Sequence, residues 1–372
     1  MFWRHILMKL QRKATIAVLL AVLGLIGSNE AFAQAGGSSV PFLLISPDAR
    51  GSGMGETGVA VADDINAVYW NPAGLGFLDY VEEPGTEEEV PYREVALSFS
   101  PWLPQFNADL YYSYGSVGQY FEELNGTVAF NFVFMNLGEF TRTADDGTTM
   151  GKFISNEFAA GLSYGTKITE DLGIGVNFKY IRSNLTPTSA TQKEAGVGNS
   201  FAFDLGLLYR PSAIEIFDVQ KALSFGFNLQ NVGPKITYIS ESDPLPTNLR
   251  LGGAWRLIKD EFNDLKIAVE MQKLLVKRDA NNSDPLPLSL VTAWENKGVE
   301  LSFGAEYWYE NIVALRAGYF TEPSNIGGRQ YWNFGAGVRY DIFSLDFSFI
   351  NTIEQNHPLA NTMRFSMLVD LR

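Results

Sequence analysis

Strict alternation of apolar with small or polar residues, sustained from about residue 94 to the end of the chain, limits this sequence more than any other feature. A two-residue period places every second side chain on one face of a strand. In "ALSFGFNLQN", Leu223, Phe225, Phe227 and Leu229 share one face, while Ala222, Ser224, Gly226, Asn228 and Gln230 share the other. Fourteen segments carry the pattern. Val95, Leu97 and Phe99 mark the first, Phe106, Ala108, Leu110, Tyr112 and Tyr114 the second, and Met363, Phe365, Met367, Val369 and Leu371 the last. Each runs to about 9 to 11 residues, the length that a tilted strand needs to cross a bilayer.

The two faces meet different surroundings. The oily faces of these segments hold no Lys or Arg, whereas the opposite faces mix glycine with Asp109, Asn131, Glu157, Lys179, Asp204, Arg210, Arg250, Glu270, Glu306, Arg316, Arg339, Asp346 and Arg364. A cation turned to lipid at mid-bilayer costs about 2 to 4 kcal/mol. Paired carboxylates and guanidiniums suit an enclosed lumen. A soluble sandwich would pack its apolar faces sheet against sheet and use strands nearer 5 or 6 residues. Aromatic residues near segment ends (Tyr112, Tyr114, Tyr180, Tyr209, Trp255, Tyr307, Trp308, Tyr319, Trp332 and Tyr340) are expected at the membrane interfaces.

The links alternate in length. Thr169-Glu170-Asp171, Glu310-Asn311 and the region of Asp341 read as tight turns, and residues 136–155, 183–199, 231–246, 276–298 and 351–361 as long loops. Short turns on the periplasmic side and long loops outside are the habit of outer-membrane barrels. Residues 101–105 and 115–125 break the alternation, the first too short and the second too long.

The first 33 residues have the three parts of an export signal. Arg4, Lys9, Arg12 and Lys13 form a basic start, "ATIAVLLAVLGLIG" an apolar core, and Ala31-Phe32-Ala33 a small-x-small cleavage site. Removal of that segment takes away four cations and only one acid, Glu30, so the mature chain is more acidic than the −14 of the whole. An acidic surface of this kind argues against nucleic acid as a partner. The absence of cysteine excludes disulfides and thiolate metal sites. The mature chain also lacks an apolar run of about 18 residues, so it has no helical span.

Residues 34–93 have a different texture, and "GSGMGETG" within them contains Gly53-x-Gly55-x-x-Gly58. A dinucleotide-binding loop uses this spacing, but it needs a strand directly before, a helix after and a βαβ unit around it. Here Pro47-Asp48-Ala49-Arg50 separates the glycines from the short apolar piece Val40 to Ser46. Asp79 stands at the distance of a ribose carboxylate, yet the acidic linker "VEEPGTEEEVP" and then β-hairpins follow. His357, the one histidine beyond the leader, lies in "EQNHPLA" on an expected surface loop, without a nucleophile in view. Glu87-Glu88-Glu89 and Asp145-Asp146 read as solvated loop acids, with loose calcium binding as the weaker reading. No cofactor is expected, and no catalytic or metal-binding residue is assigned.

"SVPFLLISPDARGSGMGETGVAVADDINAVYWNPAGLGF", residues 39–77, resembles the N-terminal segment of the PorV family of outer-membrane proteins, relatives of the FadL hydrophobic-compound transporters. Asn71-Pro72-Ala73 matches the Asn-Pro-Ala signature of the wider superfamily, and "SPDARGSGMG" points to PorV in particular. "LQNVGPKITY", "LPTNLRLG", "EMQKLLV" and "GAEYWYENIVALRAGYF" extend the resemblance toward the C-terminus. It implies an all-β fold, a 14-stranded antiparallel transmembrane barrel over 94–372, with 34–93 as a hatch and linker after a signal peptide of 1–33. It also implies a non-enzymatic outer-membrane role in type IX secretion. The implied partners are the giant translocon barrel, the C-terminal domains of secreted cargo, a surface attachment (sortase) complex and outer-membrane lipid. The outward loops 136–155, 183–199, 231–246 and 276–298 are the candidate cargo surface, and Gly53, Gly55, Gly58, Asn71, Pro72 and Ala73 are the candidate hatch motif. The alternative is a FadL-like diffusion channel for small hydrophobic molecules, whose mark would be an apolar pocket at the hatch.

Overall fold

The alternation becomes a wall with two faces. In the computed structural model, Phe201, Phe203, Leu205 and Leu207 of one strand are 48%, 56%, 47% and 39% exposed, while Ala202, Asp204 and Leu208, which alternate with them, are 0–2% exposed. Rings and aliphatic chains projecting outward all round a molecule form a far larger apolar surface than a soluble monomer carries. The chain is described over residues 37–82, 88–106, 109–143, 146–186, 196–239, 241–279, 282–295 and 298–371. The export signal expected over 1–33 lies outside these residues, as do Glu87 and Asp145.

Fourteen antiparallel strands close into one barrel in simple sequence order. They are β1 (Arg93–Pro101), β2 (Tyr111–Phe121), β3 (Gly126–Thr143), β4 (Thr149–Thr169), β5 (Leu172–Thr186), β6 (Gly196–Tyr209) and β7 (Leu223–Val232). There follow β8 (Asn248–Lys259), β9 (Asn263–Leu274), β10 (Glu300–Tyr309), β11 (Val313–Thr321), β12 (Gln330–Tyr340), β13 (Phe343–Thr352) and β14 (Met363–Asp370). Each pairs with its successor, and β14 returns to β1 with Asp370 opposite Glu94 and Phe365 opposite Phe99. Closure leaves no strand edge unpaired, which a lipid environment requires. Among the described residues, no helix is long and apolar enough to cross a membrane.

Three expectations are corrected. The second strand begins at Tyr111, not near Phe106, which sits 58% exposed in the 3-10 turn Pro104–Phe106. Asp109 accordingly lies in a link and not on the lumen wall. With the strand so placed, the β1–β2 link is long and the β2–β3 link is a turn at Glu122–Leu124, so both early links that broke the alternation now obey it. Tyr112 and Tyr114 face inward and are 1% and 3% exposed, and Trp308 also turns in at 7%. They pack inside the barrel and do not belong to an interfacial girdle. Tyr209, Trp332 and Tyr340 do face out, at 45%, 46% and 81%.

The third correction concerns length. β3 and β4 have 18 and 21 residues and continue past the bilayer as a protruding hairpin through much of the expected loop 136–155. A bulge between Asn136 and Glu139 marks where that extension leaves the barrel. On the turn side most links are tight, Glu310 and Asn311 both taking left-handed φ, 51° and 54°, in the turn that Ile312 N closes on the Tyr309 carbonyl, whereas the β6–β7 link carries a small ribbon, Glu215–Ile216 against Val219–Gln220.

Candidate functional site

Residues 37–82 run through the lumen. Val40, Phe42 and Leu43 form an apolar knot with Tyr112, Tyr114, Val133, Met135, Ile181, Ile236 and Leu245, near the ends of strands that carry the long links. Two short helices follow, α1 (Ala49–Gly53) and α2 (Ala67–Trp70). Asp48 starts α1 by accepting from the Gly51 amide at 2.8 Å, and its other oxygen accepts from Trp70 Nε1 at 2.6 Å. Both oxygens of the Asp48 carboxyl are thus engaged by donors of the hatch.

The expected hatch residues sit where this segment touches the wall. A Cβ on Gly53 would stand 3.1 Å from the Gly335 Cα, and Gly55, at φ +71°, has the Phe303 carbonyl 2.6 Å from where its Cβ would be. Only glycine combines that φ with that approach. The dinucleotide-like spacing does place amides around an anion, but the anion is a wall carboxylate. Gly58 and Val59 donate to Glu270 Oε2 at 2.8 and 2.9 Å, and Arg250 Nη1 reaches Glu270 Oε1 at 2.6 Å. Asp79, at the position a ribose would need, bonds Lys167 at 2.6 Å.

Asn71, Pro72 and Ala73 are all buried. Asn71 Nδ2 donates to the Val59 carbonyl at 2.8 Å and the Leu207 carbonyl at 2.9 Å, while its Oδ1 accepts from Ala73 N at 3.2 Å. One amide thus ties a hatch turn, the chain before it and strand β6 together. Pro72 opens the 3-10 turn Pro72–Phe77 with its fixed φ, at a position where its missing N–H costs nothing. The turn presses on inward glycines of β4, β5 and β6 (Gly165, Gly173, Gly175 and Gly206), where no wall side chain intervenes.

The strongest tie escaped sequence reasoning. Arg50 bonds Asp63, Asp64 at 2.8 Å and Glu306 of β10 at 2.8 Å, and Arg316 Nε meets Glu306 at 2.7 Å. Lys266 closes on Asp63 at 2.9 Å. The available signal was Arg50, the one cation in residues 34–92, together with the adjacent acids Asp63 and Asp64. Below this lattice, toward the short turns, a cavity of about 370 Å³ is lined by charged groups including Lys259, Lys266, Arg339, Asp341 and Asp346. Trp308 faces it between Arg316 and Arg339, whose guanidinium carbons lie 5.4 and 4.8 Å from its ring centre.

The four candidate outward loops all lie at the opposite end. Within 136–155, the β3–β4 extension stacks Phe140 on Phe153 at 5.7 Å and pairs Lys152 with Glu139 at 2.6 Å. Of 183–199, residues 187–195 lie outside the described residues, and the remainder extends β5 and β6. Loop 231–246 folds as a small ribbon, Ile236–Tyr238 against Glu241–Asp243, with Ile236 fully buried over the apolar knot. Loop 276–298 holds a second ribbon, Arg278–Asp279 with Asn282–Ser283, and a short helix, α3 (Ser289–Thr292). His357 belongs to the β13–β14 link, where its Nδ1 accepts from Leu359 N at 3.1 Å.

Residues 28–281, more than half of the 372-residue chain, match the family described as type IX secretion system protein PorV. The chain belongs to the PorV family. No curated protein matches it. Among solved structures, a Pseudomonas aeruginosa FadL homologue superposes with a TM-score of 0.51 at 11% identity, covering 88% of this chain and 99% of the other. A TodX deltaS2S3 mutant monoaromatic hydrocarbon channel gives 0.53 at 12% identity, with 87% and 97% covered. The P. putida toluene transporter TodX gives 0.50 at 11%, with 88% and 96% covered. At such identities the likeness is one of fold: this PorV-family chain is a FadL-like barrel of the outer membrane.

Proposed function

We propose that this chain serves type IX secretion through its outward surface and not through its lumen. It takes exported cargo by the cargo's C-terminal domain at the giant translocon barrel and passes it to the surface attachment complex, without catalysing a reaction. The observation that carries this reading is the filled lumen. Residues 37–82 occupy it from one mouth to the other, and the Arg50–Glu306 pair fastens them to the wall. A barrel closed in this way has only its surfaces with which to act. The outward end offers the long β3–β4 hairpin and two ribbon-bearing loops, a broad and irregular face of the kind that can engage a folded domain.

The diffusion-channel reading draws on the shared fold, since TodX is described as a monoaromatic hydrocarbon channel. Against it stands the character of the cavity beside the hatch, whose lining is dominated by Asp, Lys and Arg, where a small hydrophobic molecule would have to displace water from charges.

The test is affinity isolation from detergent-solubilised outer membranes with the intact chain and with a variant whose hairpin tip, residues 141–151, is replaced by a two-residue turn. Recovery of a very large barrel and of secreted proteins with the intact chain, reduced for the variant, supports the proposal. Recovery of neither, together with fatty acid or arene in the purified barrel, overturns it in favour of the channel.

A further inference from the structure

The path of the hatch has a direction, and that direction assigns a location to the residues with which the hatch begins. Gly37 lies against Leu274, the last residue of β9 and the point where the long β9–β10 link departs; a Cβ there would be 3.8 Å from the leucine methyl. Ser39 N donates to the Pro244 carbonyl at 3.0 Å, and Ser39 Oγ donates to Asp243 at 3.2 Å, both in the long β7–β8 link. Arg278 of the neighbouring long link grips the same Asp243 at 2.9 Å. Gly37, Ser38 and Ser39 are half-buried, whereas Val40 is buried.

From there the chain descends. Ala49 N reaches Ser366 Oγ at 2.8 Å midway along β14, Asn71 reaches Leu207 near the far end of β6, and Thr127 at the start of β3 donates to the Leu78 carbonyl. The segment leaves at the mouth opposite the one it entered and joins β1, whose Arg93 starts on the short-turn side.

Short turns face the periplasm in outer-membrane barrels. We infer that the hatch enters this barrel from the cell surface, so that its first described residues, Gly37 to Ser39, form part of the outward face, seated between the β7–β8 and β9–β10 links. Both the start of the hatch and the start of the barrel would otherwise be expected on the periplasmic side. The outward surface therefore has an element that is neither a loop nor part of the wall. Because Ser39 and Arg278 hold the same carboxylate, a ligand that moves either long link also pulls on the upper hatch. The inference depends on the orientation of the barrel and is independent of what the outward face binds.

The chain has no cysteine, so single cysteines can be read without background. Ser38→Cys tests the hatch entry, Gln355→Cys the outward β13–β14 link, and Ser212→Cys the β6–β7 link on the short-turn side; a membrane-impermeant maleimide is applied to intact cells. The inference expects Ser38→Cys and Gln355→Cys to react on intact cells and Ser212→Cys to react only after the outer membrane is permeabilised. A short epitope inserted before Gly37, read by antibody on intact cells, decides the case where a half-buried thiol is slow. Epitope exposed only after permeabilisation, with Gln355→Cys labelled on intact cells, overturns the inference while leaving orientation and proposed function in place. Labelling of Ser212→Cys on intact cells with Gln355→Cys protected overturns the orientation itself.

Discussion

Arg50 and Glu306 close on each other through two parallel hydrogen bonds, Nε to Oε2 at 2.9 Å and Nη2 to Oε1 at 2.8 Å. They are 256 positions apart in the chain, and their fork-to-fork geometry joins the hatch to the middle of β10. Glu306 is 0% exposed, so its charge depends on these partners and on Arg316.

Removal of one side of that pair should release the hatch before the wall. Breaking a buried pair costs about 3 to 5 kcal/mol, because a charge is left without compensation. Arg50→Ala is expected to expose residues 40–78 to protease and to hydrogen exchange while the barrel still migrates as a folded species on an unheated gel. Arg50→Lys should restore only part of the protection, since an ammonium cannot match both carboxylate oxygens. Unchanged protection in Arg50→Ala would mean that packing alone holds the hatch.

Asn71 should tolerate no isostere. Asn71→Ala leaves the Val59 and Leu207 carbonyls without that donor, at about 1 to 3 kcal/mol for each group stranded away from water. Asn71→Asp should be worse, because a carboxylate would then face two carbonyls. Urea denaturation in detergent, followed by protease protection of residues 40–78, should rank wild type above Ala and Ala above Asp.

The close approach at Gly318 of β11 gives a third expectation. A Cβ there would overlap the Gly55 amide and the Met54 carbonyl carbon, which are backbone and cannot turn aside. Gly318→Val is expected to cost more than the about 1 to 3 kcal/mol typical of overpacking. Its readout is loss of hatch protection at an unchanged barrel strand content by circular dichroism. Gly253→Val of β8, where the nearest atom would be 3.8 Å away, is the matched control.

On the outer face, Leu205 is 47% exposed in the middle of β6. Leu205→Arg should lower stability by about 2 to 4 kcal/mol if that face meets mid-bilayer lipid. Folding titrations in phosphatidylcholine vesicles measure this, and an effect near zero would contradict the lipid assignment.

The number of strands, the faces of all but the second and the side on which the long links lie were legible, because a two-residue period separates surroundings whatever they are. That same property explains the misplaced second strand. Tyr112 and Tyr114 pack on the hatch, not on lipid, and an apolar row does not say which of the two it meets. The β3–β4 extension read as a loop because "GEFTRTADDGTTMG" is polar and glycine-bearing, as suits strands that have already left the membrane. The hatch motif was visible as glycines and Asn-Pro-Ala, but its partners were not. Glu270 and Glu306 reach it from strands more than 200 positions away, and no local pattern encodes that pairing.

The strand order has a consequence for how the molecule is made. The segment that ends up innermost leaves the export channel first, before any staves exist to surround it, and the seam between Glu94 and Asp370 joins the first stave to the last. Contacts of such sequence separation form late and slowly. Maturation therefore has the character of a box built around its contents: residues 37–82 gain their full set of partners only once the staves that supply them, from Thr127 to Ser366, have come together.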